Sequence, residues 1–267
     1  MVETILSEDS GEHETRKRPS SEMAIVLKNL TKKYEDVTAL DRLSLQVENG
    51  ELFGLLGPNG AGKTTTINIL CGLLKPTSGS ASVGGYDVQK GQNKIKELIG
   101  VAPQQTAVYP SLTGRENVEL FADLHLMPKD GLKKRVDELL EKVGMTNDAR
   151  RRVGKYSGGM TRRISLAMAL IHDPEIAFLD EPTVGMDPQS RHAVWDFIRE
   201  LKRKNRTVIL TTQYMEEAEA LCDRVAIIDH GRLIALGTAK ELEDKYRAKD
   251  LEEVFLQLTG RRMREGL

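Results

Sequence analysis

The sequence predicts an α/β fold in which helices flank a mostly parallel sheet. Short apolar segments with the features of strands alternate with longer segments whose apolar residues repeat at helical spacing. The clearest strands, Ile176–Asp180 and Thr207–Thr212, are separated by one such helical segment, an order typical of parallel strands joined by a crossover helix. A glycine-rich segment, residues 57–62, lies between another apolar run and a helix.

The first half of the chain begins with strands. Residues 24–27, 43–47 and 52–56 are short apolar or alternating runs, which predict strands. An amphipathic helix follows the glycine-rich segment, with the apolar stripe Ile67, Leu70, Cys71 and Leu74. Thr113 and Glu116 form a capping box that opens a helical insert. The insert has the stripe Leu132, Val136, Leu139, Leu140 and Val143.

The second half continues the alternation. Two helical stripes are Ile164, Ala167, Met168 and Ile171, and then Val194, Trp195 and Ile198. Residues 224–228 and 233–236 predict two more strands. The last stripe, Leu251, Val254, Phe255 and Leu258, is expected to pack the tail on the domain or on a twin subunit. We therefore expect a main domain at residues 23–236, with a helical subdomain at about 106–156, and a helical extension at 237–267.

Composition excludes several classes of protein. The 267 residues contain 39 Lys and Arg against 40 Asp and Glu, and this balance argues against a dedicated nucleic-acid binder. The longest apolar runs are far shorter than the roughly 20 residues of a membrane-spanning helix. Residues 1–22 lack the apolar block of a secretory signal, and we expect them to be a disordered tail. Two cysteines without a CxxC pair indicate a reducing compartment, and we expect the cytoplasm.

The glycine-rich segment has the pattern of a phosphate-binding loop. It matches GxxxxGK[ST] with Gly57, Pro58, Asn59, Gly60, Ala61, Gly62, Lys63 and Thr64. In such a loop, backbone N–H groups and the positive end of the following helix surround a phosphate. Lys63 is expected to contact the β and γ phosphates and the Thr64 hydroxyl to bind Mg²⁺, with Thr65 as a weaker candidate. A chance match in an ordinary turn is the alternative, and the strand and helix on either side disfavour it.

Two acidic residues stand at the end of a predicted strand. Asp180 ends the apolar run and Glu181 follows it. Asp180 can reach a bound Mg²⁺, while Glu181 can extend to a water in line with the γ-phosphate. Taken alone, such acids could equally be solvated or cap the next helix. Together with the phosphate loop they predict a site that hydrolyses a nucleoside triphosphate.

With these motifs in order, the sequence resembles the ATP-binding cassette family. Ser157, Gly158 and Gly159 stand where that family has its Ser-Gly-Gly signature, with Tyr156 and Met160 in place of the usual Leu and Gln. The resemblance covers roughly residues 25–236. It implies a P-loop NTPase fold with an antiparallel β subdomain and a helical subdomain. It also implies that the loop binds ATP and Mg²⁺, and that the signature binds the γ-phosphate of ATP held by a partner subunit.

The resemblance implies roles for three further residues. Tyr34 matches the aromatic residue that stacks on adenine, with a half-buried core tyrosine as the alternative. Gln104 matches the glutamine that contacts Mg²⁺ or the attacking water and moves with the membrane partner, and its neighbour Gln105 is the other candidate. Asp187 matches a residue that crosses the dimer interface, while an Asp that starts a turn before Pro188 is the alternative.

One position departs from the family pattern. Gln213 stands where the family usually has a histidine. An amide can donate a hydrogen bond to the γ-phosphate, but it carries neither a transferable proton nor a positive charge. We therefore expect slower hydrolysis, with Glu181 as the base. The alternative is that Gln213 only caps the helix near Met215.

Several segments resemble the drug-resistance branch of the family, typified by daunorubicin and doxorubicin resistance ATPases. They are YSGGM, TTQYMEEAE, RVAIIDHGRLIALGT and LEEVFLQLTGR. This resemblance implies an ATP-hydrolysing subunit that energises export of a drug or other hydrophobic substrate. The resemblance also implies that the export path is a separate multi-spanning permease, which holds the subunit at the inner face of the cell membrane. It implies a dimer with a second ATP-binding subunit, expected to be identical, and no nucleic-acid partner.

Two other functions remain open from the sequence. A soluble ATP switch that acts on nucleic acid or ribosomes is disfavoured, because the chain has neither a coiled-coil insert nor a second cassette and is not basic. An importer ATPase is disfavoured mainly by the segments YSGGM and TTQY.

Overall fold

The computed structural model describes residues 23–260, so the predicted tail at residues 1–22 lies outside the described residues. The strands are β1 (Met23–Tyr34), β2 (Val37–Glu48), β3 (Leu52–Leu56), β4 (Ser78–Val83), β5 (Tyr86–Asp87), β6 (Ile99–Ala102), β7 (Ile176–Asp180), β8 (Thr207–Thr212), β9 (Arg224–Asp229) and β10 (Arg232–Gly237). The helices are α1 (Lys63–Leu70), α2 (Gln92–Leu98), α3 (Gly114–Leu124), α4 (Leu132–Lys142), α5 (Gly158–Leu170), α6 (Pro188–Arg203), α7 (Met215–Leu221), α8 (Ala239–Tyr246) and α9 (Leu251–Thr259).

A six-stranded sheet forms the centre of the molecule and confirms the predicted fold class. Its order is β10-β9-β3-β8-β7-β6, and every neighbouring pair is parallel except β9 and β10. All residues of β3, β7 and β8 are buried, as expected for strands covered on both faces. Because these strands are parallel, the loops that follow them emerge at one edge of the sheet. This edge brings together the phosphate loop, the acid pair and Gln213.

A second, antiparallel sheet has the order β2-β1-β4-β5. The hairpin of β1 and β2 was predicted as two shorter strands, whereas β4 and β5 were missed. β4 has the sequence SGSASV, whose small polar residues show no apolar alternation. It is a strand because it pairs with β1, with Ile25 opposite Val83 and Leu27 opposite Ala81. The antiparallel sheet implied by the family resemblance is present.

The helices between β6 and β7 pack into one apolar cluster with α6 and with residues of the central strands. α3 begins with the predicted capping box, in which Thr113 Oγ1 accepts from the Glu116 N–H at 3.2 Å and Glu116 Oε2 accepts from the Thr113 N–H at 2.7 Å. α4 buries its predicted stripe against α3 and α5, with Val136 and Ile164 both fully buried. A short 3₁₀ turn, Val153–Lys155, lies between α4 and α5.

The last two helices pack on the domain itself. On α9, Leu251, Val254 and Phe255 are buried in one cluster with Met215 of α7 and Ile227 of β9. This arrangement follows one of the two expectations for the final apolar stripe, packing on the domain, with Leu258 half-buried beside the same cluster. Within residues 23–260, no helix has the length and apolarity needed to cross a membrane.

Candidate active site

Glycine is required at two positions of the loop between β3 and α1. Gly62 has φ +105°, and a Cβ added there would lie 2.6 Å from Leu40 Cδ2 and 2.7 Å from the Ala39 carbonyl. A Cβ at Gly57 would lie 2.3 Å from the Ile228 carbonyl. No side chain caps α1 and no acid lies in its first turn, so the N–H groups of its first turn face the loop. The loop can therefore hold an anion against the start of the helix.

Lys63 lies inside this loop and is 5% exposed. Its Nζ donates to the carbonyls of Gly57 and Pro58, at 2.7 and 3.2 Å, and lies 3.2 Å from Glu181 Oε1. Burial lowers the pKa of Lys63, and the nearby Glu181 carboxylate opposes that shift. A phosphate in the loop would compete with Glu181 for the same ammonium group.

The acid pair is buried, and the backbone of Glu181 is strained. Asp180 accepts a hydrogen bond from Thr211 Oγ1. Glu181 has φ +49°, a left-handed conformation that costs about 1–3 kcal/mol for a residue with a side chain. Its N–H donates to the Thr211 carbonyl at 3.1 Å and to Thr211 Oγ1 at 3.0 Å, which holds that conformation. The strain lies at the residue that the sequence predicts to activate water.

Gln104 reaches the acid pair from the loop after β6. Its Nε2 donates to Glu181 Oε2 at 3.0 Å, so Gln104 rather than Gln105 is the glutamine that the structure brings to the carboxylate. Lys63, Gln104 and Glu181 therefore meet at one point, and three separate loops supply them.

These residues border a cleft of about 520 Å³, a size typical of small-molecule sites. Its lining comprises most of the phosphate loop together with Val37, Thr38, Ala39, Gln104, Glu181 and His230. The Thr64 hydroxyl and the Gln104 amide line the cleft, and the Asp180 carboxylate is buried beside it. All three supply oxygen ligands of the kind that Mg²⁺ prefers. The loop fits a phosphate chain, and the donor set fits its magnesium ion.

The predicted signature and Asp187 do not line this cleft. Ser157 is the exposed N-cap of α5, and its Oγ accepts from the Met160 N–H at 3.3 Å. Gly158 begins the helix, and a Cβ there would meet no atom of the described residues within 4 Å. Asp187 is the exposed N-cap of α6 and accepts from the Ser190 N–H, which lowers the pKa of its carboxyl. Asp187 thus caps a helix that begins at Pro188, where the alternative expected the start of a turn, and its exposed side chain stays accessible to a partner.

Tyr34 and Gln213 do not line the cleft. Tyr34 ends β1, is 44% exposed, and has Lys32 Nζ 4.9 Å from its ring centroid. It precedes the residues of β2 that line the cleft but is not part of the lining. Gln213 is half-buried after β8, and its Oε1 has no hydrogen-bond partner within residues 23–260. The N-cap of α7 is Tyr214, with no side-chain cap, so Gln213 does not cap this helix.

Besides Val37, Thr38 and Ala39 of the lining, the sequence did not predict His230 and Arg162. His230 lines the cleft from the turn between β9 and β10, which is fixed by a hydrogen bond from the Gly231 N–H to the Ala61 carbonyl at 3.0 Å. The signal for it was the His-Gly pair between two strands, which is a hairpin turn. Arg162 is buried against both the acid pair and the loop of Gln104. Its signal was a basic residue near a helix N-terminus, where the helix dipole favours acids.

A buried carboxylic acid lies behind the acid pair. Glu217 Oε1 accepts from Thr183 Oγ1 at 2.7 Å and from Trp195 Nε1 at 2.9 Å, which joins α7 to α6 and to the loop after Glu181. Burial raises the pKa of Glu217 above its usual 4.5. Above pH 4.5 the unfolded chain releases this proton while the folded protein retains it, so this group lowers stability as pH rises.

We expect Glu217→Gln to reduce the loss of stability between pH about 5 and about 8 relative to the wild type. The amide keeps an oxygen for Thr183 and Trp195 but has no charge to bury. Urea denaturation across that pH range measures the effect. Glu138→Gln, an exposed carboxylate on α4, is the control and should follow the wild type. Parallel pH curves for Glu217→Gln and the wild type would contradict the assignment.

The fold and this site define a class of protein. A phosphate loop that opens a helix, a lysine buried inside it and an acid pair at the same edge of a parallel sheet are the parts of a P-loop nucleoside triphosphatase. A family model described as ABC transporter matches residues 40–184.

The relatives narrow the class to one family. The chain is 46% identical over 248 residues to a doxorubicin resistance ATP-binding protein, DrrA, of Mycobacterium tuberculosis, covering 92% of this chain and 73% of the relative. It is 42% identical to a Nod factor export ATP-binding protein I of Burkholderia orbicola, covering 86% and 76%. The dimeric post-hydrolysis structure of the ATP-binding cassette MJ0796 with ADP and Pi superposes with TM-score 0.74 and 27% identity, over 80% of this chain and 98% of that one.

The chain belongs to the ABC transporter family and is an ATP-binding subunit that hydrolyses ATP. The predicted resemblance to the drug-resistance branch is confirmed by the identity with DrrA. ATP-binding subunits of this family act with membrane permeases and form dimers.

Proposed function

We propose that this chain energises the export of a drug or other hydrophobic substrate through a separate multi-spanning permease. The carrying observation is the meeting of Lys63, Gln104 and Glu181 at one cleft, because it joins nucleotide binding to the loop that would respond to a permease. The similarity to a resistance protein and to an export protein supports the direction of transport. In this proposal the chain works on the cytoplasmic side of the membrane and is held there by the permease.

The proposed site binds ATP with Mg²⁺. The N–H groups of the phosphate loop and the Lys63 ammonium bind the β and γ phosphates. Thr64, Asp180 and Gln104 hold the metal ion, with Thr65 beside them, and the ion offsets the negative charge of the phosphates when bound. Tyr34 contacts the adenine ring from the hairpin of β1 and β2, whose residues Val37 to Ala39 line the cleft.

Glu181 acts as the general base in this proposal. Its carboxylate accepts a proton from a water placed in line with the γ-phosphate, and Gln104 orients the carboxylate through the 3.0 Å hydrogen bond. The left-handed backbone of Glu181 fixes where the carboxylate points. Competition between phosphate and Glu181 for Lys63 frees the carboxylate for water when the nucleotide is bound.

Two identical chains then form a head-to-tail dimer with two equivalent sites. The exposed N-terminus of α5, with Ser157, Gly158 and Gly159, binds the γ-phosphate of the ATP held by the other chain. Asp187, exposed at the start of α6, lies across the same interface. Hydrolysis removes the phosphate that joins the two chains, and the dimer reopens.

In this proposal Gln213 limits the rate of ATP hydrolysis, because its amide stands in place of a histidine that could carry a positive charge. We expect Gln213→His to raise kcat about fivefold near pH 6.5, since a charge-assisted hydrogen bond to phosphate is stronger by about 1 kcal/mol. The gain should shrink as the imidazole loses its proton toward pH 8. Steady-state ATPase assays at both pH values measure it. Equal kcat for the variant and the wild type would remove Gln213 from the catalytic group.

Capture of the permease tests the proposed function. Tagged Glu181→Gln chain is incubated with detergent-solubilised membranes, ATP and Mg²⁺, and the retained proteins are identified by mass spectrometry. The proposal expects a multi-spanning membrane protein, more strongly retained with ATP than without it. The matched control is Lys63→Met in the same chain, whose retention should not respond to ATP. Recovery of only ribosomal or DNA-associated proteins would overturn the proposal in favour of a soluble switch.

A further inference from the structure

Arg162, the fifth residue of α5, joins the two loops that meet at the catalytic end of the cleft. Its side chain is 5% exposed. Nη1 donates to the carbonyls of Pro103 and Gln104, at 2.6 and 2.7 Å. Nη2 donates to the carbonyl of Asp180 at 2.6 Å and also to that of Glu181. One guanidinium therefore binds four backbone carbonyls.

The chemistry of this position requires arginine. A guanidinium is planar, and its two terminal nitrogens point two N–H pairs in fixed directions, which matches two pairs of carbonyls on two loops. A lysine at the same place has all its donors on one nitrogen and cannot bind the carbonyls of both loops in this way. The guanidinium also places a positive charge beside the buried carboxylates of Asp180 and Glu181, which oppose the lowering of its pKa by burial.

Two of the four hydrogen bonds hold the backbone of Gln104 and Glu181, the residues whose side chains are bonded to each other. Gln104 and Glu181 are joined at their side chains by the 3.0 Å hydrogen bond and at their carbonyls by Arg162. Glu181 is held in its left-handed conformation from both sides, with Thr211 on its N–H and Arg162 on its carbonyl. Loss of the guanidinium would let this peptide relax and would move the carboxylate.

The same helix presents the signature at its exposed end. Ser157 caps α5 only five residues before Arg162, and both lie on one rigid element. We propose that Arg162 is a positioning residue that couples contact of this helix end with the partner subunit's ATP to the alignment of Gln104 and Glu181 in the same chain. The proposal rests on the proposed two-site dimer and assigns the communication between its sites to one side chain.

The test compares Arg162→Lys with Arg163→Lys in the purified full chain. Arg163 is the next residue of α5, and its Nη1 donates to the carbonyls of Val143 and Gly144, at 3.3 and 3.0 Å, away from the acids. We expect Arg162→Lys to lower kcat about 10- to 100-fold, because a displacement of about 1 Å at a reacting group has an effect of this size. The Kd of a fluorescent ATP analogue should stay within about twofold, and Arg163→Lys should keep the wild-type kcat.

A double-mutant cycle with Ser157→Ala tests the coupling itself. If Arg162 transmits the contact made by Ser157, the double variant loses less activity than the product of the two single losses. Losses that multiply would overturn the coupling, and so would a wild-type kcat for Arg162→Lys. If Arg162→Lys lowers ATP affinity and thermal stability together with kcat, Arg162 is only a structural residue. Arg162→Gln, which keeps two N–H donors without the charge, replaces the lysine variant if that variant does not fold, with the same expected result.

The failure of this inference differs from failure of the proposed function. ATP-dependent dimerisation of Glu181→Gln, followed by light scattering, reports on the proposed dimer alone. Glu181→Gln with Arg162→Lys should still dimerise with ATP, since Arg162 is buried against the catalytic loops of its own chain, and by linkage any weakening should not exceed the coupling energy from the double-mutant cycle. A monomeric Glu181→Gln chain would instead remove the dimer on which the inference rests.

Discussion

Glu181→Gln is expected to lower ATP hydrolysis at least about 100-fold and to leave ATP binding intact. The substitution keeps the shape of the side chain and an oxygen that can accept from Gln104 Nε2. It removes the only property that a base needs, since an amide does not accept a proton from water. It also removes the carboxylate that lies 3.2 Å from Lys63 Nζ, so phosphate has no competitor for the ammonium group.

The bound ATP then stays unhydrolysed, and the ATP-held dimer should accumulate. Single-turnover hydrolysis and light scattering with ATP and Mg²⁺ measure the two effects together. Glu138→Gln on α4 changes an exposed carboxylate in the same way and should retain wild-type kcat. A Glu181→Gln chain with more than about a tenth of wild-type kcat would assign the base to another group.

Lys63→Met should weaken ATP binding about 100-fold or more. The ammonium can make two charge-assisted hydrogen bonds to phosphate, and their loss amounts to about 3 kcal/mol. Methionine has a similar length and fills the same buried volume, so the loop is not left with a cavity. The variant also leaves the buried Glu181 carboxylate and the Gly57 and Pro58 carbonyls without the Lys63 ammonium, so some stability is lost and the Kd is measured on folded protein.

Titration with a fluorescent ATP analogue measures this loss, and circular dichroism checks that the variant is folded. Lys90→Met, which changes an exposed lysine, is the matched control and should keep the wild-type Kd. Affinity within about tenfold of the wild type for Lys63→Met would show that the backbone of the loop supplies most of the phosphate binding.

The sequence predicted those parts of the fold whose signal is local. β3, β7 and β8 are short apolar runs and were found with their boundaries. The capping box at Thr113 was found because two residues three apart carry it. By contrast, β4 and β6 were missed, since SGSASV has no alternation and IGVA is only four residues long directly after a helix. Those strands exist through pairing with distant residues, which periodicity cannot detect.

The candidate site divides in the same way. Lys63 and Glu181 follow from motifs with a chemical reason at fixed spacing, and the structure brings them within 3.2 Å. Arg162 and His230 have no motif, because their places depend on loops more than 50 residues away in sequence or on a turn of another strand. The partner-facing roles of Ser157 and Asp187 stay predictions.

The order of the central sheet has a consequence for how the chain matures during synthesis. Within residues 23–260, β3, which leads into the phosphate loop, pairs with β8 and β9 alone, about 155 to 170 residues later in the chain. While the ribosome is still making the intervening helices, the loop has its sequence but neither neighbouring strand to support it. Nucleotide binding is therefore a late acquisition of the nascent chain, gained only after β9 has emerged, and nonlocal pairing of this kind is slow to form. A chain truncated before β8 would leave the apolar strand β3 without its neighbours and exposed to chaperones and proteases.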